Sequence, residues 1–260
     1  VDVVPGHHDL IPLTRQELDV GDHNAVMGTV AALRPELILG LGAFTSVDDN
    51  ERDPARAFRD NAQGAHSLAL AARACGAVLL HVSTDYVFDG TKGSAYDEVD
   101  VPNPISVYGR SKLAAERLVR AVTPEHFIVR TGYIFGGGKD RLSTQLGPLR
   151  DGGEAAGLAD RRGSPTYVRH LAERLLPLAL THRYGTYHMG GPEPATWYDL
   201  LVACKRIGGL PGSVRAQGSA ELDLPAPRPA DSSLTSVLMQ NLQVPPMPPL
   251  DEALADLLDR

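Results

Sequence analysis

With two cysteines in 260 residues, Cys75 and Cys204, far apart and unpatterned, the chain suggests neither a disulfide framework nor a metal site. Free thiols fit a reducing, cytoplasmic setting. No apolar run approaches the length of a membrane span, and the amino terminus lacks the charged and apolar regions of a signal peptide. A cationic stripe is also missing: 25 Lys and Arg stand against 32 Asp and Glu, a net charge of -7. That balance argues against a nucleic-acid partner, because no basic stripe is there to neutralise a phosphate backbone. What remains is an ordinary globular composition, 43% hydrophobic and 22% charged, long enough for one well-buried core with a smaller appendage.

One stretch, His81 to Lys112, organises the rest. Leu79 to Val82 close an apolar run that stops abruptly at Ser83, Thr84 and Asp85, which reads as a buried strand delivering hydroxyls to its carboxyl end. Ligands sit at that end of a parallel sheet. After a loop rich in Gly, Pro and Asp, Asn103 and Pro104 open a helical pattern carrying Tyr108 and Lys112 on one face. A phenol needs roughly 4 kcal/mol of differential stabilisation to exchange protons near pH 7. An ammonium about 4 Å away in a shielded site supplies most of it. Tyr108 then reads as general acid, Lys112 as its electrostatic support and Thr84 as a second donor to the same carbonyl oxygen. Tyr-x-x-x-Lys alone is equally an exposed helix pair; the Ser-Thr-Asp segment ahead of it favours a catalytic site.

His81 to Gly90, Val107 to Lys112 and Gly163 to Thr166 resemble the dTDP-4-dehydrorhamnose reductases, a branch of the extended short-chain dehydrogenase/reductases, and the resemblance covers nearly the whole chain. It implies an α/β fold: a Rossmann-type doubly wound parallel sheet with a small α/β substrate-binding C-terminal region. Residues 1–148 would form the dinucleotide-binding domain, joined by parts of 149–260, and 149–260 mainly the substrate domain. The implied reaction is reduction of the C4 ketone of a dTDP-linked 4-keto-6-deoxy sugar by NADPH or NADH. Some relatives dimerise, so a homodimer is compatible with the resemblance; no acidic cluster marks a metal site.

In such relatives a first strand, a Gly-rich phosphate turn and most of a helix precede Leu10 to Leu13, itself a short strand candidate. None of those glycines can be assigned here, and a doubly wound sheet without its central strand is not expected to fold, so a preceding segment is expected. Val1 to Gly6 does not read as the start of a domain. Arg15 stands where NAD binders place an acidic residue on the ribose 2′-hydroxyl, so it reads as a 2′-phosphate contact favouring NADPH, or as a surface turn residue. Asp19 is placed beside the adenine by resemblance, or forms a turn, ahead of a helix capped by Asp22. Leu37 to Leu41 read as the next strand. Small residues Gly42 and Ala43, with Thr45, let a dinucleotide approach the backbone, although relatives often carry an Asn-Ala-Ala-Ala run from position 40. Asp53 and Pro54 start a long helix ending at Gly76, on which Asn61 faces either the cofactor strand or solvent.

Beyond Phe127 to Arg130, another strand, the resemblance sets Tyr133 against the sugar ring, with a core Tyr as the competing reading. Gly136 to Lys139 reads as a mobile loop. From Leu149 the elements shorten: a helix near Val168, a strand within Tyr184 to Met189, a helix capped by Thr196, and a last amphipathic helix, Leu250 to Leu258. Arg228, held between Pro227 and Pro229, is preorganised for a diphosphate or is a surface Arg. Substrate contacts are thus expected from Thr84, Asp85, Tyr86, Tyr133 and Arg228. Nucleotide-sugar 4,6-dehydratases carry Asp and Glu after the equivalent Thr; here Asp85 is followed by Tyr86, so the elimination base is missing. An epimerase uses the same Tyr and Lys. A second class is a non-catalytic, NADP-binding regulatory subunit like the beta subunit of methionine adenosyltransferase.

Overall fold

The computed structural model describes residues 8–259, so the reading of Val1 to Gly6 lies outside it. Leu10 to Leu13 forms no strand: the segment is exposed, and its backbone enters no ladder. Pro12 removes one donor from any such row. Asp22 accepts a hydrogen bond from the Ala25 N–H and starts α1, His23–Leu33, as expected. β1, Leu37–Gly40, leads to α2, Val47–Arg52, capped by Ser46. Asp53 and Pro54 open α3, Pro54–Ala57, which continues through a π-helical turn, Phe58–Gln63, into α4, Gly64–Cys75, closed by left-handed Gly76. The single long helix read from the sequence therefore contains a turn of wider pitch.

β2, Val78–Thr84, is followed by α5, Val107–Val122. Ser106 caps α5, its Oγ accepting the Gly109 N–H at 3.1 Å, whereas Asn103 is drawn to Asp89 at 2.9 Å. A hydroxyl directly ahead of the first turn outcompetes the Asn-Pro pair upstream. The chain then forms β3 (His126–Thr131), β4 (Ile134–Phe135), α6 (Arg141–Arg150), β5 (Glu154–Leu158), β6 (Arg162–Gly163), β7 (Thr166–Tyr167) and α7 (Val168–Ala179). β8 (Gly185–His188), β9 (Ala195–Thr196), α8 (Trp197–Gly208), β10 (Ser213–Gln217) and α9 (Leu250–Leu258) complete it.

β1, β2, β3 and β8 lie in that order in one parallel sheet. Such a sheet needs apolar cover on both faces. On one, α1, α4 and α5 bury Val26, Leu68, Ala69 and Ala115 against Leu79 and Ile128. On the other, Leu171, Leu175 and Leu178 of α7 close over Leu80, Phe127 and Val129. A separate cluster, with Leu142, Leu149, Leu200, Leu201 and Leu254, gathers α6, α8 and α9. Residues after 149 thus contribute α7 and β8 to the sheet layers as well as the smaller body. No helix among the described residues is long and apolar enough to cross a membrane.

Candidate active site

The parallel strands end at one edge of the sheet, and there β2 delivers Ser83 and Thr84, with Asp85 directly after it, all buried. α5 comes close to this edge because Gly109 has no side chain: a Cβ there would sit 2.1 Å from the Tyr86 carbonyl oxygen. That approach sets Tyr108 edge-on to Tyr86, ring centroids 6.0 Å apart at 69°. Burial pushes the Tyr108 phenol up to about 12, opposed by a hydrogen bond with Thr84 and assisted by the Asp85 charge. Burial likewise raises Tyr86 well above an ordinary phenol.

Lys112 is 2% exposed, donates to the Val82 carbonyl at 2.7 Å and lies 3.3 Å from His81 Nε2. Burial lowers its pKa to about 8, with attraction to Glu116 opposing. The ammonium thus engages β2, and burial rather than Lys112 dominates the phenol, unlike the electrostatic support expected from the spacing. Two of its three donors are used, which leaves one for a ligand.

Asp85, expected as a sugar contact, is 2% exposed and accepts hydrogen bonds from Thr84 Oγ1 at 3.0 Å and from Ser232 Oγ. It pins the C-terminal segment to the end of β2. Burial raises its carboxyl to about 6 against those hydrogen bonds. Tyr133 takes a left-handed φ of 45° and stacks on Trp197, centroids 5.0 Å apart and planes 12° from parallel. A Cβ on Gly163 would come within 2.5 Å of the Tyr133 ring, so that glycine makes room for it. Trp197 is legible in the sequence only as the first residue of a helix; its partnership with Tyr133 emerges from the fold.

Arg228 is not open to solvent between its prolines. It forms a bidentate pair with Asp48, at 3.0 and 2.7 Å, tying residues 226–228 to α2. Arg141, which the sequence does not single out, has no carboxylate partner among the described residues. Burial and then repulsion from Arg228 lower its pKa, while Tyr133 and Tyr86 lie within its field. A guanidinium without a carboxylate partner, in the field of a second one, is a candidate place for an anion. An open cavity of about 400 Å³ lined by Arg161, Arg162, Asp199 and Asp231 adjoins the site through Asp231, next to Ser232.

On the dinucleotide side, Gly42, Ala43 and Thr45 belong to the loop that leaves β1, with Gly42 and Thr45 exposed. Asn61 is 1% exposed, not solvated: its Oδ1 accepts the Phe44 N–H at 2.7 Å, and its Nδ2 donates to Ser111 Oγ at 2.9 Å. It braces that loop against α5, one residue from Lys112. Arg15 meets Asp60 at 3.2 Å and Asp19 at 3.7 Å, and Arg56 and Arg59 converge on the same Asp60. Three guanidinium groups against two carboxylates leave one net positive charge, which fits a 2′-phosphate better than a bare hydroxyl. Asp19 also accepts the Gly21 N–H at 2.9 Å, the turn-forming alternative.

Over residues 2–260 the chain matches the model of the RmlD substrate binding domain. The dTDP-4-dehydrorhamnose reductase of Streptomyces griseus is 39% identical over 230 residues, 85% of this chain and 76% of that protein. The enzyme of the same name from Aggregatibacter actinomycetemcomitans is 34% identical over 249 residues, 90% and 84% of the two chains. The crystal structure of dTDP-4-dehydrorhamnose reductase from Bacillus anthracis in complex with NADP superposes with a TM-score of 0.93 at 32% identity, covering 97% of this chain and 90% of that one. With the strand-borne Thr84, the helix-borne Tyr108 and Lys112 and this whole-length likeness together, the chain belongs to the RmlD family that includes the dTDP-4-dehydrorhamnose reductases.

Proposed function

We propose that this protein reduces the C4 ketone of a dTDP-4-keto-6-deoxy sugar with NADPH, and that Thr84, Tyr108 and Lys112 carry the chemistry. The observation that carries this reading is a phenol set edge-on to Tyr86 beside the end of the Thr84 strand, with a buried ammonium one helical turn on, at the carboxyl edge of a parallel sheet. NADPH, when bound, supplies the hydride for the ketone carbon. Tyr108, firmly protonated at neutral pH, delivers a proton to the ketone oxygen as negative charge develops there. Thr84 turns its hydroxyl from Asp85 to the same oxygen. Lys112 uses its remaining N–H on the nicotinamide ribose.

Asn61 keeps the loop of Gly42, Ala43 and Thr45 in place for the dinucleotide, and Arg15 receives the 2′-phosphate. Tyr86 and Tyr133 flank the sugar, and Arg141, with Arg228, meets the diphosphate. Asp85 acts through Thr84 and Ser232 instead of touching the sugar. The absence of an acidic residue after Asp85 disfavours dehydration, and turnover separates the reductase from a regulatory subunit that binds NADP without chemistry.

Oxidation of NADPH followed against a panel of dTDP-4-keto-6-deoxy sugars tests the reading. Turnover on at least one is expected; binding of NADPH with no turnover on any would overturn it. In the same assay Arg141→Gln is expected to raise KM for the sugar nucleotide about tenfold and leave kcat within about twofold, the worth of one charge-assisted hydrogen bond to a diphosphate. An unchanged KM would remove Arg141 from the site.

A further inference from the structure

The catalytic strand carries a group that the reaction above does not use. His81 lies one strand turn before Ser83, paired with Gly40 of β1 on one side and Ile128 of β3 on the other. Its side chain is 2% exposed, and the charge that β3 carries nearby, Arg130 two residues beyond Ile128, is paired with Glu116. The cation in contact with it is Lys112 of α5, whose Nζ lies 3.3 Å from His81 Nε2. Lys112 has no carboxylate within ion-pair distance among the described residues; Glu116, on the next turn of α5, is committed to Arg130 at 2.7 Å. The ammonium therefore rests on two neutral acceptors, the Val82 carbonyl and an imidazole.

This contact fixes the state of the ring. For Nε2 to accept from an ammonium, the proton of the neutral imidazole must sit on Nδ1. Nδ1 is buried and has no hydrogen-bond partner, so the ring forgoes one hydrogen bond to present its lone pair to Lys112. A buried imidazole beside a cation also resists taking a second proton, and both burial and Lys112 hold its pKa well below the ordinary value.

We propose that His81 is a positioning residue of the reductase, a neutral acceptor that fixes the Lys112 side chain under the cleft and keeps it charged in the working pH range. The inference rests on the reductase reading above. Without the acceptor, the same burial acts on an ammonium with one hydrogen bond fewer, and its proton leaves at lower pH. The alkaline limb of the pH profile for kcat/KM, set by Lys112 with its pKa of about 8, is the quantity His81 controls.

The test compares His81→Leu, which fills the space without an acceptor, with His81→Gln, whose amide oxygen can accept from Lys112. The alkaline limb is expected to move down by about one pH unit in the Leu variant and to return toward the wild-type position in the Gln variant. An unmoved limb in a Leu variant of wild-type Tm, or equal displacement in both variants, would overturn the proposal. Should the Leu variant fail to fold, nitrogen NMR of the wild-type ring decides. At pH 7 His81 is expected to be neutral with its proton on Nδ1, and a ring titrating near 6.5 refutes the contact. Because the NMR measurement needs no sugar, it separates failure of this inference from failure of the reductase reading.

Discussion

Tyr108→Phe is expected to lower kcat roughly 10³-fold while NADPH affinity stays within about twofold of wild type. Phenylalanine preserves the edge-on contact with Tyr86 at 6.0 Å and the packing of α5, so what disappears is one hydroxyl. That hydroxyl is the proton donor we propose for the ketone oxygen. General acid catalysis by a positioned side chain is worth about 10² to 10⁴ in rate, and no other phenol on α5 can take over. The cofactor contacts assigned to Arg15, Lys112 and the loop braced by Asn61 are untouched. Wild-type turnover in the variant would dismiss the assignment, and parallel loss of NADPH binding would show that the ring positions the cofactor instead.

The second large effect concerns stability. Glu116 is fully buried, with its carboxylate bonded by Arg130 at 2.7 and 2.9 Å, Ser83 at 2.7 Å and Arg120 at 3.0 Å. Arg130 is itself 2% exposed and reaches His188 of β8 at 3.4 Å, so one ion pair joins α5 to β2, β3 and β8. Removing the carboxylate strands a buried guanidinium. Glu116→Ala is expected to cost about 3–5 kcal/mol, seen as a fall in Tm of roughly 10 °C by circular dichroism. Although burial raises the Glu116 pKa, its hydrogen bonds and Coulombic pairing with Arg130 prevail and hold it below the ordinary 4.5. A depressed carboxylate gives stability that is fully present above its unfolded value and is lost as pH falls through its folded value. The Tm gap between wild type and Glu116→Ala should therefore be constant above about pH 5 and narrow in more acid solution. A gap of under 2 °C at pH 7 would mean the pair contributes almost nothing.

The strand and helix of the candidate site were legible because their pattern is local: an apolar strand ending in hydroxyls, then a helix with phenol and ammonium one turn apart. Helix ends with side-chain caps, such as Asp22 and Thr196, were legible for the same reason. Asn61 was not, because its burial depends on a π-helical turn and on Ser111, fifty residues away. Arg228 reads as an open guanidinium until the fold supplies Asp48 from 180 positions earlier. Arg141 is one Arg after a glycine loop until the fold sets Tyr86 and Tyr133 within its field. Leu10 to Leu13 misled because apolar composition shows what a segment would bury, not whether a neighbouring strand lies beside it.

The Asp48–Arg228 pair has a consequence for how the two ligands sense each other. An anion recruited to Arg228 finds a competitor already seated, so its affinity is reduced by the work of displacing a carboxylate. That work is done on α2, directly after the loop that Asn61 braces for the dinucleotide. Under the proposed roles of Arg228 and of that loop, a dinucleotide that weakens the Asp48–Arg228 pair would favour the diphosphate, and by reciprocity the diphosphate would favour the dinucleotide by the same factor.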